Sequence, residues 1–375
     1  MISKKNLTSL IFFFVFAFSF PLYSTIDVEN HFYFTIILLF LCVFLLLLNV
    51  KLIFRSLKIN KSVNFFLFVF FMLSLLTFII KNDTNTFILF SPFFTFVAIA
   101  IVTQLKLNIN ILIIGILAFY IYYYNIYFST LPSFFDRKEI YGFDEELNFS
   151  GASSNIIPIV LNNLIYIFLI LNSYYKLNKN KIILIFSTIN IPLIFIQNSR
   201  AGLIVAVLLF LINLFEFYPK VFKKYPKIIY ILIAYISVLT LQLGIEKFDS
   251  NTYELTEIAN QGRAIAQVMF FSEMTINEFF WGYPEDHSFF LFDYTYNVFL
   301  DVWNKIGFIG FLLLVIIFFR RLINNKKYHF PLIYFTPFLV YSLVESIYFP
   351  KYWDFAIILL LIIPVNYRLN KWHSI

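Results

Sequence analysis

Arg137, Arg200 and Arg263 stand out in a chain that otherwise prefers lysine, and each lies in a segment joining long apolar runs. A guanidinium fork binds two phosphate oxygens at once, so arginines placed this way suit a phosphate group. Arg200 sits in the connection Gln197-Asn198-Ser199-Arg200-Ala201-Gly202, too short to reach far from its flanking runs. An arginine there needs an anion, a cluster of carbonyls or water. The alternatives are a guanidinium that snorkels to the nearest water, or one paired with a carboxylate. His287, within Trp281-Gly282-Tyr283-Pro284-Glu285-Asp286-His287-Ser288, could take and return a proton near neutral pH, although a lone loop histidine is more often a plain surface residue. Asp286 and Glu285 lie beside it in the sequence. No second histidine or cysteine completes a metal site with His287; acidic residues alone, Asp144 to Glu146, are the remaining metal alternative. There is no Walker motif, Gly-rich dinucleotide loop or serine nucleophile motif, so no metal and no cofactor is expected.

These residues are carried by 375 residues that are 61% hydrophobic and 13% charged, with a mean hydropathy of +0.83. Soluble domains carry about 25% charged residues. Half that share cannot cover a water-facing surface of this size, which excludes a soluble enzyme, a nucleic-acid-binding module and a disulfide-stapled domain. The one cysteine, Cys42, lies inside an apolar run and reads as a packing residue.

The composition implies an all-α integral membrane protein. A spanning helix needs roughly 20 apolar residues. Twelve candidates lie near 8–25, 32–50, 63–80, 86–105, 109–128, 155–175, 182–197, 201–218, 228–244, 303–319, 330–348 and 354–367. The runs are continuous and do not alternate as barrel strands would. Pro92, Pro158 and Pro192 fall within them, as packed bundles tolerate. Lys4 and Lys5 before the first run could mark a signal peptide, but Pro21 to Thr25 lacks a clean cleavage site, so the span is expected to stay. With both termini cytoplasmic, 20 of the 28 Lys and Arg fall on the inner side, and the alternation holds at every crossing.

The expected organisation is a five-span bundle (1–128), an outer loop (129–154), a four-span bundle (155–244), a large outer loop (245–302), and three spans with a cytoplasmic tail (303–375). Loops beyond ~12–15 residues are usually functional or disordered, so the two outer loops are where chemistry is expected. In the second, Arg263 to Phe280 has a helical period. Arg263, Gln267, Glu273, Asn277 and Glu278 share one face, and Ile265, Val268, Met269, Ile276, Phe279 and Phe280 share the other. Phe270 and Met274 break the pattern. Such a helix would lie on the membrane surface or cap the bundle. Tyr141, Trp281, Tyr283, Tyr294 and Tyr296 read as interfacial anchors on the outer side, and stacking on sugar rings is what the family resemblance below implies for them.

Three stretches together resemble the O-antigen polymerase and O-antigen ligase superfamily of bacterial envelope proteins. Asn198-Ser199-Arg200-Ala201-Gly202 is similar to that family's Ser-Arg-Gly hairpin. Gly262-Arg263 with its amphipathic stretch and Trp281-Gly282-Tyr283 resembles the family's Arg-containing outer helix. Tyr296-Asn297-Val298-Phe299-Leu300 followed by Gly307-Phe308-Ile309-Gly310 resembles its His-Asn-x-x-Leu and Gly-x-x-Gly pattern, with Tyr296 in place of the histidine. The resemblance directly covers about residues 150–320.

It implies glycosyl transfer at the periplasmic leaflet of the bacterial inner membrane, between oligosaccharides linked through pyrophosphate to undecaprenol. Arg200, Arg263 and His287 would be catalytic; Arg137, Asn155, Asn297, Lys305, Trp281 and Tyr296 would bind substrate. The missing histidine favours polymerase over ligase and leaves the proton acceptor open among His287, Glu273 and Asp286. Expected partners are the lipid-linked oligosaccharide, membrane lipid and, by the resemblance, a chain-length regulator and a flippase; nucleic acid is not expected. A lipid-linked oligosaccharide flippase is the alternative of another class, disfavoured by span centres almost free of charge.

Overall fold

The computed structural model describes residues 3–19, 31–59, 61–81, 87–129, 156–196, 199–218, 268–283, 298–323 and 330–344. Among them every regular element is helical, as the composition requires. The chain runs α1 (Lys4–Phe13, extended by a π-helical turn, Phe14–Phe18), α2 (His31–Leu48), α3 (Val50–Ile59), α4 (Lys61–Lys81), α5 (Phe87–Gln104) and α6 (Ile109–Ser129). It continues through α7 (Ile156–Tyr175), α8 (Asn180–Ile196), α9 (Arg200–Phe217), α10 (Ile276–Trp281), α11 (Val298–Ile323) and α12 (Phe330–Val344). Helices stand at the expected spans from 8–25 to 201–218, over the described part of the first, and at 303–319 and 330–348. The expected spans 228–244 and 354–367 lie outside the described residues.

α7 is the axis of the structure. Residues 158–172 are buried on every side, which an all-round apolar helix demands. It packs against α6, α8 and α9; α9 packs against α12, α4 against α5, and α11 against α4 and α12. Among the described residues, 157–175 is the one stretch both long and apolar enough to cross a membrane by length and composition. Shorter apolar helical stretches of 10–17 residues accompany it, such as 36–48, 67–80 and 201–217.

One end of the bundle is tied by polar side chains. The Asn49 amide donates to Thr8 Oγ1 at 3.5 Å. The Asn108 amide donates to Asn6 Oδ1 at 3.2 Å, and its backbone N–H to Ser9 Oγ at 2.9 Å. Asn108 Oδ1 accepts the N–H of Asn110 at 3.2 Å and so caps α6. Tyr175 donates its hydroxyl proton to Leu105 O at 2.8 Å. These bonds gather connections that the charge pattern assigns to a single side, and Lys4, Lys5, Lys51, Arg55, Lys106 and Lys176 are all exposed there. The α7–α8 turn is closed in the same region. Lys176 adopts φ 52°, and Leu177 N–H reaches back to Asn172 O at 3.1 Å, a left-handed helix cap built without glycine.

The structure differs from the expectation in two places. Residues 50–59, expected as a plain connection, form α3. Val50, Ile53 and Leu57 recur at helical spacing, and Ile53 is buried while Lys51, Phe54 and Arg55 are exposed. The continuous helix expected over 263–280 is broken. A turn at 268–272 ends, and α10 restarts at Ile276 behind a capping box, with Thr275 Oγ1 accepting from Glu278 N–H and Thr275 N–H donating to Glu278 Oε2 at 2.7 Å. The faces therefore rotate. Phe270, expected to break the pattern, is fully buried, and Ile276, expected on the apolar face, is 82% exposed.

Candidate functional site

The first half of the site is the start of α9. Ser199 is its N-cap, with extended backbone, and its Oγ accepts the Gly202 N–H at 3.1 Å. Arg200 is the first helical residue. Gly202 has to be glycine for packing: a methyl group there would stand 2.5 Å from Pro158 Cβ and 2.6 Å from Ser199 Oγ. The Gly202 carbonyl accepts the buried Asn162 amide at 2.9 Å. Asn162 also donates to Tyr341 Oη at 2.8 Å and accepts from Asn190 Nδ2 at 2.7 Å. Four helices, α7, α8, α9 and α12, thus meet at one amide just below the arginine's helix end.

A polar seam continues from there along α8 and α9. Asn213 Nδ2 donates to Ser187 Oγ at 2.8 Å and to Leu209 O at 2.9 Å. Near the far end of α9, Tyr334 donates its hydroxyl proton to the Glu216 carboxylate, and Tyr166 donates to the Tyr334 carbonyl. Asn180 Nδ2 reaches Glu216 O at 3.0 Å. Apolar surroundings favour such pairing, and among the described residues only the amide oxygens of Asn190 and Asn213 on this seam accept no hydrogen bond. Among the described residues Glu216 is the one ionisable carboxylate on this seam.

The second half is a knot of aromatic residues between the described part of the second loop and α11. Phe270, Tyr283 and Trp303 form its buried centre, with Met269, Met274, Phe279, Leu300, Phe308 and Phe311 around them. Trp303 Nε1–H donates to Phe279 O at 2.8 Å, and its ring stacks on Phe311 with centroids 5.2 Å apart. Trp281 ends α10, and Gly282 at φ 80° turns the chain, a left-handed conformation that glycine adopts without strain. The Tyr283 N–H is then delivered to Asn304 Oδ1 at 2.8 Å, and its hydroxyl donates to Phe270 O at 2.7 Å. Burial, reinforced by the negative charges of Glu278 and Glu273, pushes the Tyr283 phenol up to about 12. Gly307, at φ 71°, interrupts α11 where the Phe280 carbonyl presses on it. The Trp281-Gly282-Tyr283 and Gly307-Phe308-Ile309-Gly310 stretches, separate in sequence, are therefore parts of one packed unit.

The Asn162 node and the Glu216 carboxylate mark the two ends of α9. α12 runs antiparallel to α9, since Tyr341 meets Asn162 near the start of α9 and Tyr334 meets Glu216 near its end. A connection of a few residues joins α11 to α12, which pack together; short connections make consecutive helices antiparallel neighbours.

Of the expected site residues, Arg200 opens α9, while Trp281 and Lys305 are half-buried on α10 and α11. Arg137, Asn155, Arg263, His287, Tyr296 and Asn297 lie outside the described residues, as does Asp286. Glu273 is exposed at the break before α10. Tyr283 is corrected: with 1% of its surface exposed it is a packing residue, and its ring has no face left for a sugar. Asn162, Asn190, Asn213 and Tyr341 escaped the sequence reading, although an asparagine inside an apolar run of spanning length is itself the signal of an interhelical bond. Among the described residues no three of His, Cys, Asp and Glu come together as a metal site. Compared with protein families, curated proteins and solved structures, the chain matches none.

Proposed function

We propose that this chain is an integral membrane glycosyltransferase of the O-antigen polymerase kind, with twelve spans and both termini cytoplasmic in the bacterial inner membrane. It acts on undecaprenyl-pyrophosphate-linked glycans at the periplasmic leaflet. The observation that carries the reading is the position of Arg200. An arginine as first residue of an 18-residue helix opposes the helix dipole, which favours anions there by about 0.3–1 kcal/mol. Cation and dipole add into one positive potential that an anion relieves. The Ser199 cap, the Gly202–Pro158 contact and the Asn162 node hold that helix end rigidly, as a pyrophosphate clamp needs. The lysines gathered at the opposite end support the orientation.

In the reaction the acceptor hydroxyl oxygen attacks the anomeric carbon of the donor glycan. The carbon–oxygen bond to pyrophosphate breaks, and undecaprenyl pyrophosphate leaves with its charge against Arg200 and Arg263. The hydroxyl proton passes to a base, for which His287, Glu273 and Asp286 are the candidates. Arg137, Asn155, Asn297, Lys305, Trp281 and Tyr296 would hold the glycans. The sugar–pyrophosphate bond supplies the driving force, so the reading calls on neither metal nor nucleotide.

The test is the lipopolysaccharide banding pattern of a strain lacking this gene. Core bearing a single repeat unit supports polymerase. Core alone with long polymer left on its lipid carrier means ligase, core alone without polymer means flippase, and an unchanged ladder removes all three. Arg200→Ala and Arg263→Ala should each abolish polymer while the protein remains in the membrane; normal long chains from both would remove the clamp.

A further inference from the structure

α3 is a short helix with two unlike faces. Ile53 is buried toward the bundle, where α3 packs on α5, whereas Lys51, Phe54 and Arg55 point outward within a single turn. Phe54 is 64% exposed, a large ring held in the open between two cations. The bonds from Asn49 to Thr8 and from Asn108 to Asn6 and Ser9 bring this turn beside Lys4, Lys5 and Lys106, all exposed. The four carboxylates among the described residues lie elsewhere or are engaged. Glu216 is buried and accepts the Tyr334 proton, while Glu273, Glu278 and Asp301 belong to the aromatic knot's end. The result is a cationic rim with an exposed aromatic ring beside the apolar bundle. That pairing fits an interface with an apolar layer beneath an anionic one.

We propose that α3 and the lysines beside it form a docking surface for anionic phospholipid headgroups, with Phe54 seated among the acyl chains between Lys51 and Arg55. The surface rests on the membrane reading above but not on the glycosyl-transfer chemistry. Each cation near an anionic leaflet contributes about fivefold in affinity, so the lipid preference is shared between the two α3 cations and the neighbouring lysines. Zwitterionic headgroups offer no such net attraction.

The experiment uses the full chain in nanodiscs of mixed phosphatidylcholine and phosphatidylglycerol, with retained lipid counted by native mass spectrometry. Wild type should retain phosphatidylglycerol over phosphatidylcholine. The double variant Lys51→Gln/Arg55→Gln should lose that preference by about 25-fold. Equal preference in wild type and variant overturns the proposal. A second measurement needs no variant: phosphatidylglycerol binding by wild type should weaken as salt is raised, and salt-independent binding overturns the proposal as well. Protein that stays dissolved without detergent or lipid overturns the membrane reading itself. Protein that inserts yet shows no preference for phosphatidylglycerol overturns the docking surface alone.

Discussion

The carbonyl oxygen of Phe280 occupies the place where a side chain at Gly307 would begin. A methyl group on Gly307 would stand 1.9 Å from that oxygen. The contact locks α10 onto the kink of α11, and the Trp303 and Tyr283 hydrogen bonds repeat the attachment on either side of it. The loop segment and the helix are therefore one rigid part, in which Trp281 and Lys305 keep a fixed relation.

Gly307→Ala is expected to be the most damaging alanine substitution among the tightly packed glycines. It meets backbone and demands a left-handed residue at once, a cost of about 3 kcal/mol or more. Gly202→Ala, pressed against the rigid Pro158 ring, should cost about 1–3 kcal/mol. Gly115→Ala should cost least, because it meets the tip of the Phe18 ring, which can swing. Thermal unfolding of the purified variants in detergent checks the order; Gly115→Ala as the worst of the three would refute it.

Tyr283 gives the protein an alkaline weakness. Burial pushes its phenol up from the ordinary tyrosine value of 10.0 to about 12 in the fold. Between those values the unfolded chain releases the proton first, so stability should fall as pH rises above 10 and be untouched below it. Tyr283→Phe keeps the ring in the knot and removes this dependence. As pH rises from 10 towards 12 the unfolding midpoint of wild type should fall relative to that of Tyr283→Phe, and a difference between the two that stays constant over this range would refute the linkage.

Thr275→Ala removes one side of the capping box and should weaken α10 by about 1 kcal/mol. The loss should be local. Hydrogen exchange of residues 276–281 should speed up while α7 is unaffected, and equal acceleration in both would mean that the cap does not act on α10 alone.

Asn162→Ala deletes the amide shared by Gly202, Asn190 and Tyr341. Interhelical hydrogen bonds in membrane bundles average about 0.6 kcal/mol, so loss of the three should cost about 2 kcal/mol. Tyr341→Phe, which removes one of them, should cost a fraction of that. Calorimetry that ranks the two the other way would show that Asn162 is not the node.

A topology test follows from the exposure of individual positions. Asn277 is exposed near the knot and Lys106 at the basic end, while the native Cys42 is buried. In the proposed orientation, Asn277→Cys should react with an impermeant thiol reagent from the periplasm and Lys106→Cys should not. The reverse labelling would overturn the orientation.

The helices were legible in the sequence because continuous apolar runs leave the backbone only one way to satisfy its own hydrogen bonds. Cys42 was legible for the same reason, and it is buried as a packing residue. α3 was not, because its three basic residues look like those of a connection when the spacing of Val50, Ile53 and Leu57 is passed over. The helical period over 263–280 ends at one tetrad, Thr275-Ile276-Asn277-Glu278, whose capping chemistry restarts the helix and resets every face after it. At the site, the hairpin around Arg200 and the two glycine-containing stretches could be picked out as motifs. Their joining could not, since Asn162 and Tyr341 are 179 positions apart and nothing in either neighbourhood names the other.

That separation governs how the molecule can be assembled. α7, α8 and α9 emerge from the ribosome in succession and can at once close the bonds among Asn162, Asn190 and Gly202. The hydroxyls of Tyr334 and Tyr341 arrive last, with α12. Until then Glu216 lacks its phenol and Asn162 one of its acceptors. Among the described helices α12 is therefore the seal on the axis built before it.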